Sequence, residues 1–289
     1  MLFGTGTALI TPMNRDGSVN EEELRRLVTF QEENGVDMLL PCGSTGEAAT
    51  LNTEEHLRVI EIVIDQAKSA KVVAGAGSNC TQEAIELSRA AEDLGADGIL
   101  SISPYYVKPT QEGIFRHYEA IAKSVEIPVI VYNVPGRTSS NITAETEARL
   151  AQVPNIGGVK EASGNIDQIR EIIDRTPDDF AVLSGDDAMT YDVMCSGGVG
   201  VFSVVSNCMP KEVSTMVDLL REGKKEQAKE IHDRLMPLFK GAFVESNPIP
   251  IKYIMSKMGF GDNVLRLPLT PISAGAQEKI EQIISQYGL

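Results

Sequence analysis

The chain has 289 residues, with 26 Lys and Arg against 41 Asp and Glu, a formal net charge of -15, three His, four Cys and no Trp. That length allows one large α/β barrel or two ordinary domains, and a hydrophobic share of 42% with 23% charged residues excludes disorder of the whole chain. The acidic balance excludes a nucleic-acid footprint built on basic residues and disfavours anionic membranes, and no apolar run reaches the roughly eighteen residues of a membrane span.

The N-terminal stretch from Met1 to Ile10 has no basic residue before Arg15 and reads as a strand rather than a secretory signal. Nearly unbroken apolar runs then recur: Gly6–Thr11, Met38–Cys42, Val72–Ala76, Ile99–Ser103, Val129–Val134, Ile156–Ala162, Phe180–Ser184 and Val199–Val204. Such runs suit parallel strands buried on both faces. Between them lie apolar spacings of three and four, as in Leu57, Ile60, Ile64 and Ala67, or Ala84, Leu87, Ala91 and Leu94, which predict amphipathic helices. Gly35 and Gly95 stand where a helix stops, in Gly35-Val36-Asp37 and Gly95-Ala96-Asp97. They lie 60 residues apart (95 minus 35), the length of two strand–helix units, and form a weak internal repeat. Eight strands alternating with helices predict a (β/α)8 TIM barrel. A doubly wound sheet would want Gly-x-Gly-x-x-Gly after its first strand, which Gly4-Thr5-Gly6-Thr7-Ala8-Leu9 does not supply. After about residue 210 the pattern turns helical, over Lys211–Arg221, Lys225–Phe239, Ile249–Met258 and Ala274–Gln286, broken by Pro237, Pro248, Pro250, Pro268 and Pro271. We divide the chain into a barrel over 1–223 and a small C-terminal helical appendage over 224–289, packed on the barrel because no linker is visible. Cys42, Cys80, Cys195 and Cys208 include no Cys-x-x-Cys pair, as expected of reduced thiols in a cytoplasmic protein.

In a barrel, chemistry belongs at the C-terminal ends of the strands. The second strand runs into Gly43-Ser44-Thr45-Gly46-Glu47, whose backbone N–H groups can hold a carboxylate or phosphate. An ordinary glycine-rich turn reads the same way. Tyr105 and Tyr106 after strand four alternate in direction and suit packing or an interface. On strand five, Tyr132 shares a face with Ile130, so its hydroxyl needs either a hydrogen-bonded core site or a proton-transfer role. Arg137 just beyond it reads by itself as a solvated cation. Strand six aims Lys160 along the face of Ile156 and Gly158. Either a carboxylate pairs with it, though neighbouring Glu161 alternates away, or it is a desolvated amine fit to attack a ketone. Metal ligation is not expected, because His56, His117 and His232 are scattered. A Ser-His-Asp site lacks its Gly-x-Ser-x-Gly elbow.

Across nearly the whole chain, six segments in order resemble the dihydrodipicolinate synthases, which sit in the wider family of pyruvate-dependent class I aldolases with N-acetylneuraminate lyase. They are Gly43-Ser44-Thr45-Gly46-Glu47, Pro104-Tyr105-Tyr106, Tyr132-Asn133-Val134-Pro135-Gly136-Arg137-Thr138, Gly158-Val159-Lys160-Glu161, Ser184-Gly185-Asp186-Asp187 and Asn247-Pro248-Ile249-Pro250-Ile251-Lys252. The resemblance implies that Lys160 forms an imine with pyruvate, with Tyr132 beside it as acid and base. Thr45 and Tyr106 would complete a hydroxyl relay, Tyr106 reaching in from a neighbouring subunit. Ser44, where a second threonine is common, and Thr45 would hold the pyruvate carboxylate. Gly185 and Phe202, the latter often aliphatic, would line the pocket, and Arg137 would receive the carboxylate of L-aspartate 4-semialdehyde. No metal or organic cofactor is implied, since the imine is itself the electron sink. The resemblance also implies a homotetramer built as a dimer of dimers and an L-lysine effector site at Ala48, Ala49, His56, Asn79, Glu83 and Tyr105. Thr53 and Ala48 depart there from a frequent histidine and serine. By themselves, Asn79 and Glu83 can equally cap and decorate a helix starting near Thr81. Two alternatives stand beside this: a lyase for N-acetylneuraminate or 2-keto-3-deoxy sugar acids, and a catalytically silent barrel that binds pyruvate or lysine. Arg137 favours an aldehyde with a distal carboxylate over a polyol.

Overall fold

A computed structural model describes residues 2–289. Eight parallel strands close on themselves in sequence order: β1 (Gly4–Ala8), β2 (Met38–Leu40), β3 (Lys71–Gly75), β4 (Gly98–Ile102), β5 (Val129–Asn133), β6 (Ile156–Glu161), β7 (Ala181–Ser184) and β8 (Gly200–Ser203). Each lies within three residues of its apolar run, so the expected (β/α)8 barrel is the observed one. The intervening helices are α1 (Glu21–Glu33), α2 (Thr53–Gln66), α3 (Thr81–Asp93), α4 (Gln111–Ala122), α5 (Pro135–Thr138), α6 (Ala144–Leu150), α7 (Ile166–Arg175), α8 (Thr190–Cys195) and α9 (Pro210–Arg221). Beyond them come α10 (Lys225–Gly241), α11 (Ile249–Lys257) and α12 (Ala274–Ile284).

The helices begin where side chains can take up their orphan N–H groups. Asn20 accepts from Glu23 at the start of α1, and Asn52 and Glu55 form a reciprocal capping box at α2. Gly35 and Gly95 take φ values of +83° and +96°, the left-handed turn expected past a helix end. The aspartates that follow them explain the repeat physically. Asp37 accepts the N–H of Thr5 at 2.8 Å and Asp97 that of Val72 at 2.8 Å. Each carboxylate thus closes the N-terminal end of a neighbouring strand.

Two packed layers follow from the strand alternation. One cluster joins outward-facing strand residues to the helices. A smaller one, including Ala8, Met38, Leu40, Val73, Leu100, Ile130, Leu183 and Phe202, fills the barrel interior. Phe202 lies across Gly6, where an added Cβ would sit 2.5 Å from the ring. The bulky side chain therefore requires a glycine opposite. The seam between β1 and β8 is sealed by Asn207, which accepts from Ile10 N–H at 3.0 Å and donates to Ala8 C=O at 2.7 Å.

Pro237 departs from its expected role as a breaker, because α10 runs through it. Packing overrides the local cost: Leu235, Leu238 and Phe239 on either side are fully or almost fully buried. The appendage packs directly on the barrel, α10 against α8 and α9, and α12 against α10 and α11.

Candidate active site

Lys160 and Tyr132 are cross-strand neighbours on β6 and β5, both directed into the barrel and buried at 5% and 7% exposure. The Lys160 Nζ sits 4.4 Å from the centre of the Tyr132 ring and 5.6 Å from that of Phe202. Burial drives the Lys160 pKa down from 10.5 to about 7; Asp187 partly offsets this by favouring the charge, and Arg137 opposes it. Burial also raises the Tyr132 phenol, while Arg137 and the Ser44 hydroxyl pull it back. An amine that is neutral in about half of the molecules at pH 7 therefore lies against a phenol that keeps its proton. Gly185 leaves room for the lysine stem, since a Cβ there would stand 3.1 Å from Lys160 Cγ and 2.8 Å from Ala162 Cβ.

Glu161 lies outside the barrel, as the alternation expects. Its carboxylate accepts from Asn133 Nδ2 at 3.0 and 3.3 Å and from Ser163 N–H at 2.7 Å. The Lys160–Glu161 ion pair weighed as an alternative for the lysine is not present. Asn133 in turn receives the Ile142 N–H at 3.0 Å, which ties the loop after Arg137 to the end of β5.

The turn after β2 is held from several sides. Thr11 donates to Gly46 C=O at 2.7 Å, and Asn247 Nδ2 donates to Thr45 Oγ1 at 2.9 Å. No oxygen of the described residues accepts the N–H of Ser44 or Thr45. Arg137, exposed at the rim, is not simply solvated: its Nη2 donates to Asn247 C=O at 2.9 Å. One residue of the appendage therefore touches both the turn and the guanidinium.

Asp187 carried no assigned role in the sequence, although its Asp186-Asp187 pair follows a strand. It is 2% exposed, accepts from Val204 N–H at 2.9 Å, Val205 N–H at 3.2 Å and the Ser203 hydroxyl, and is raised to about pKa 6 by burial. The signal for it was an acid at the mouth of a strand that adjoins the lysine strand. Glu47 and Lys252 were quoted within motifs but likewise given no role.

The remaining expected residues lie elsewhere. Tyr106 stands 88% exposed at φ +71°, away from Lys160 within its own chain. Around the expected effector positions, Asn79 donates to Tyr105 C=O at 3.1 Å, Ser78 donates to Glu83, and buried His56 bonds Gly75 C=O at 2.7 Å. Neither Asn79 nor Glu83 caps α3, where Cys80 holds the cap position with no side-chain bond; Glu83 lies in the first turn of α3. Ala48 and Ala49 lie in a short 3-10 turn. Among the described residues, no group of three or more His, Cys, Asp or Glu side chains is placed to hold a metal, and no helix is long and apolar enough to cross a membrane.

A poised amine at the C-terminal mouth of a (β/α)8 barrel, with a phenol against it and free N–H groups nearby, has the layout of an imine-forming barrel enzyme. The chain belongs to the dihydrodipicolinate synthetase family, whose family model matches residues 1–287. It is 50% identical over 290 aligned positions to the 4-hydroxy-tetrahydrodipicolinate synthase of Chloroherpeton thalassium, covering 100% of this chain and 96% of that protein. The pyruvate-complexed dihydrodipicolinate synthase of Acinetobacter baumannii superposes with a TM-score of 0.98 at 42% identity, covering 100% and 99% of the two chains. The Cyanidioschyzon merolae enzyme, solved with lysine bound, gives 0.96 at 42%, covering 99% of each.

Proposed function

We infer that this chain condenses pyruvate with L-aspartate 4-semialdehyde to give 4-hydroxy-tetrahydrodipicolinate, a step toward lysine by the diaminopimelate route. The supporting observation is the buried Lys160 amine, its pKa brought down to about 7, set against Tyr132 in a chain half identical to synthases of that name. Pyruvate would lay its carboxylate on the Ser44 and Thr45 N–H groups. Its ketone carbon accepts the Lys160 lone pair, and water leaves to give a protonated imine. That cation withdraws electrons, the methyl carbon loses a proton, and the resulting enamine attacks the aldehyde carbon to form the new C–C bond. The substrate amine then adds to the imine carbon and expels the Lys160 amine, closing the ring. Tyr132, Thr45 and a Tyr106 from a second subunit would pass protons between these steps.

Arg137 would take the aldehyde substrate's carboxylate, as a guanidinium suits that group. Gly185 and Phe202 would wall the pyruvate pocket. The imine serves as the electron sink, so this chemistry calls for no metal or organic cofactor. In this proposal residues 1–223 are the catalytic barrel, 224–289 a helical domain that completes its rim, the assembly a homotetramer and the location the cytoplasm. Lysine would act at Ala48, Ala49, His56, Asn79, Glu83 and Tyr105, in keeping with the lysine-bound relative.

The test combines pyruvate, borohydride and mass spectrometry with an aldehyde consumption assay. A reduced pyruvate adduct on Lys160 and loss of aspartate 4-semialdehyde only when pyruvate is present are expected. No adduct defeats the imine and supports the silent barrel, while an adduct without aldehyde consumption supports a sugar-acid-cleaving lyase instead.

A further inference from the structure

The ion pair between Glu47 and Lys252 has no part in the chemistry above. Its partners are 205 residues apart, their side chains 0% and 1% exposed, and the Nζ lies 2.5 Å from the carboxylate. The other carboxylate oxygen accepts only the Arg266 N–H, at 3.3 Å. Replacing such a pair by apolar side chains of like volume is often neutral for stability, so stability alone explains its presence weakly. Its placement suggests another use. Glu47 ends the turn that begins after β2, and both Cys42 and Glu47 take left-handed φ values, +55° and +56°. Residues other than glycine resist that conformation and keep it only where their surroundings over-determine it. Between them lie the two unused N–H groups of Ser44 and Thr45.

We propose that Glu47 and Lys252 are positioning residues that hold the Gly43–Glu47 turn in the shape that receives the carboxylate of the first substrate. The proposal rests on the assignment of pyruvate's carboxylate to that turn. The same short segment of the appendage grips the turn twice, through Asn247 on Thr45 and Lys252 on Glu47. Asn247 just precedes α11 and Lys252 lies near its start, so this end of the appendage joins Thr11, which holds Gly46, in fixing the N–H pair. Loosening the buried grip alone should therefore weaken pyruvate and spare the aldehyde, whose proposed partner Arg137 bonds the Asn247 backbone.

The test is the double variant Glu47→Gln/Lys252→Met, which removes both charges, keeps the length of the first side chain and shortens the second by one atom. Half-saturating pyruvate for borohydride trapping on Lys160 should rise at least tenfold. KM for aspartate 4-semialdehyde should stay within about twofold, and trapping at saturating pyruvate should still reach one adduct per chain. Glu47→Gln alone is the second variant, since Lys252 is already pushed toward its neutral form by burial; it should give the same split. An unchanged pyruvate requirement in a folded variant, or equal losses for both substrates, would overturn the positioning role. A wild-type chain that pyruvate never labels would instead overturn the functional assignment itself.

Discussion

Replacing Lys160 by methionine should abolish pyruvate labelling and, at neutral pH, make the fold more stable. Lowering a lysine pKa from 10.5 to about 7, at about 1.4 kcal/mol per factor of ten, corresponds to about 5 kcal/mol against the charged form in the folded chain. The unfolded chain keeps an ordinary lysine. Below pH 7 both states carry the proton, and the folded state bears the full penalty. Between pH 7 and 10.5 the folded amine is neutral while the unfolded one is still charged, so the unfolded state binds more protons and stability rises with pH. The advantage of Lys160→Met over wild type should thus fall by about 2.3 kcal/mol between pH 7 and pH 9. Asp187, at about pKa 6, is ionised across that window. Urea denaturation of both proteins at pH 7, 8 and 9 reads the difference directly. A difference that does not change with pH would mean an ordinary amine at position 160, and the case for a poised nucleophile would fail. At pH 7 the lowered value leaves about half of the amines neutral, against about one in 3,000 for an ordinary lysine.

Arg137→Ala should raise KM for aspartate 4-semialdehyde by about ten- to a hundredfold, as expected for a lost charge-assisted contact of roughly 1.5–3 kcal/mol, with pyruvate labelling kept; steady-state kinetics on both substrates decide it, and equal effects count against the contact. Tyr106→Phe should cut turnover without altering the sedimentation of the assembly, and a fully active monomer at low concentration would exclude a shared site. Calorimetry with L-lysine should show binding that Glu83→Ala weakens strongly; no heat at millimolar ligand would remove the effector site.

The barrel could be read from the chain because fully buried parallel strands leave continuous apolar runs. The one polar break that mattered, Lys160 between Val159 and Glu161, stood out for the same reason. Alternation alone sent Glu161 outward, where Asn133 meets it. Asp187 carries no motif of its own; its role depends on Ser203, Val204 and Val205 at the end of β8 meeting its carboxylate, which no local pattern states. Long-range partners were the hardest to see. Asn247 and Thr45 lie 202 residues apart, and nothing in either neighbourhood reveals the other. Arg137 looked like any surface cation until the appendage supplied a carbonyl for it. Pro237 shows the converse error, a local rule that tertiary packing overruled.

Phe202, seated across Gly6 with no exposed surface, stoppers the barrel beneath the lysine. With that ring filling the barrel interior, the proposed substrates would reach Lys160 from the C-terminal ends of the strands, the side on which Arg137 follows β5. In the proposed reaction the keto acid bonded to Lys160 would take the inner position, so it would arrive before the aldehyde. Evolution can also treat the two positions separately. Changes around the mouth can admit a different second reactant while the inner position, and the chemistry that begins there, stays as it is.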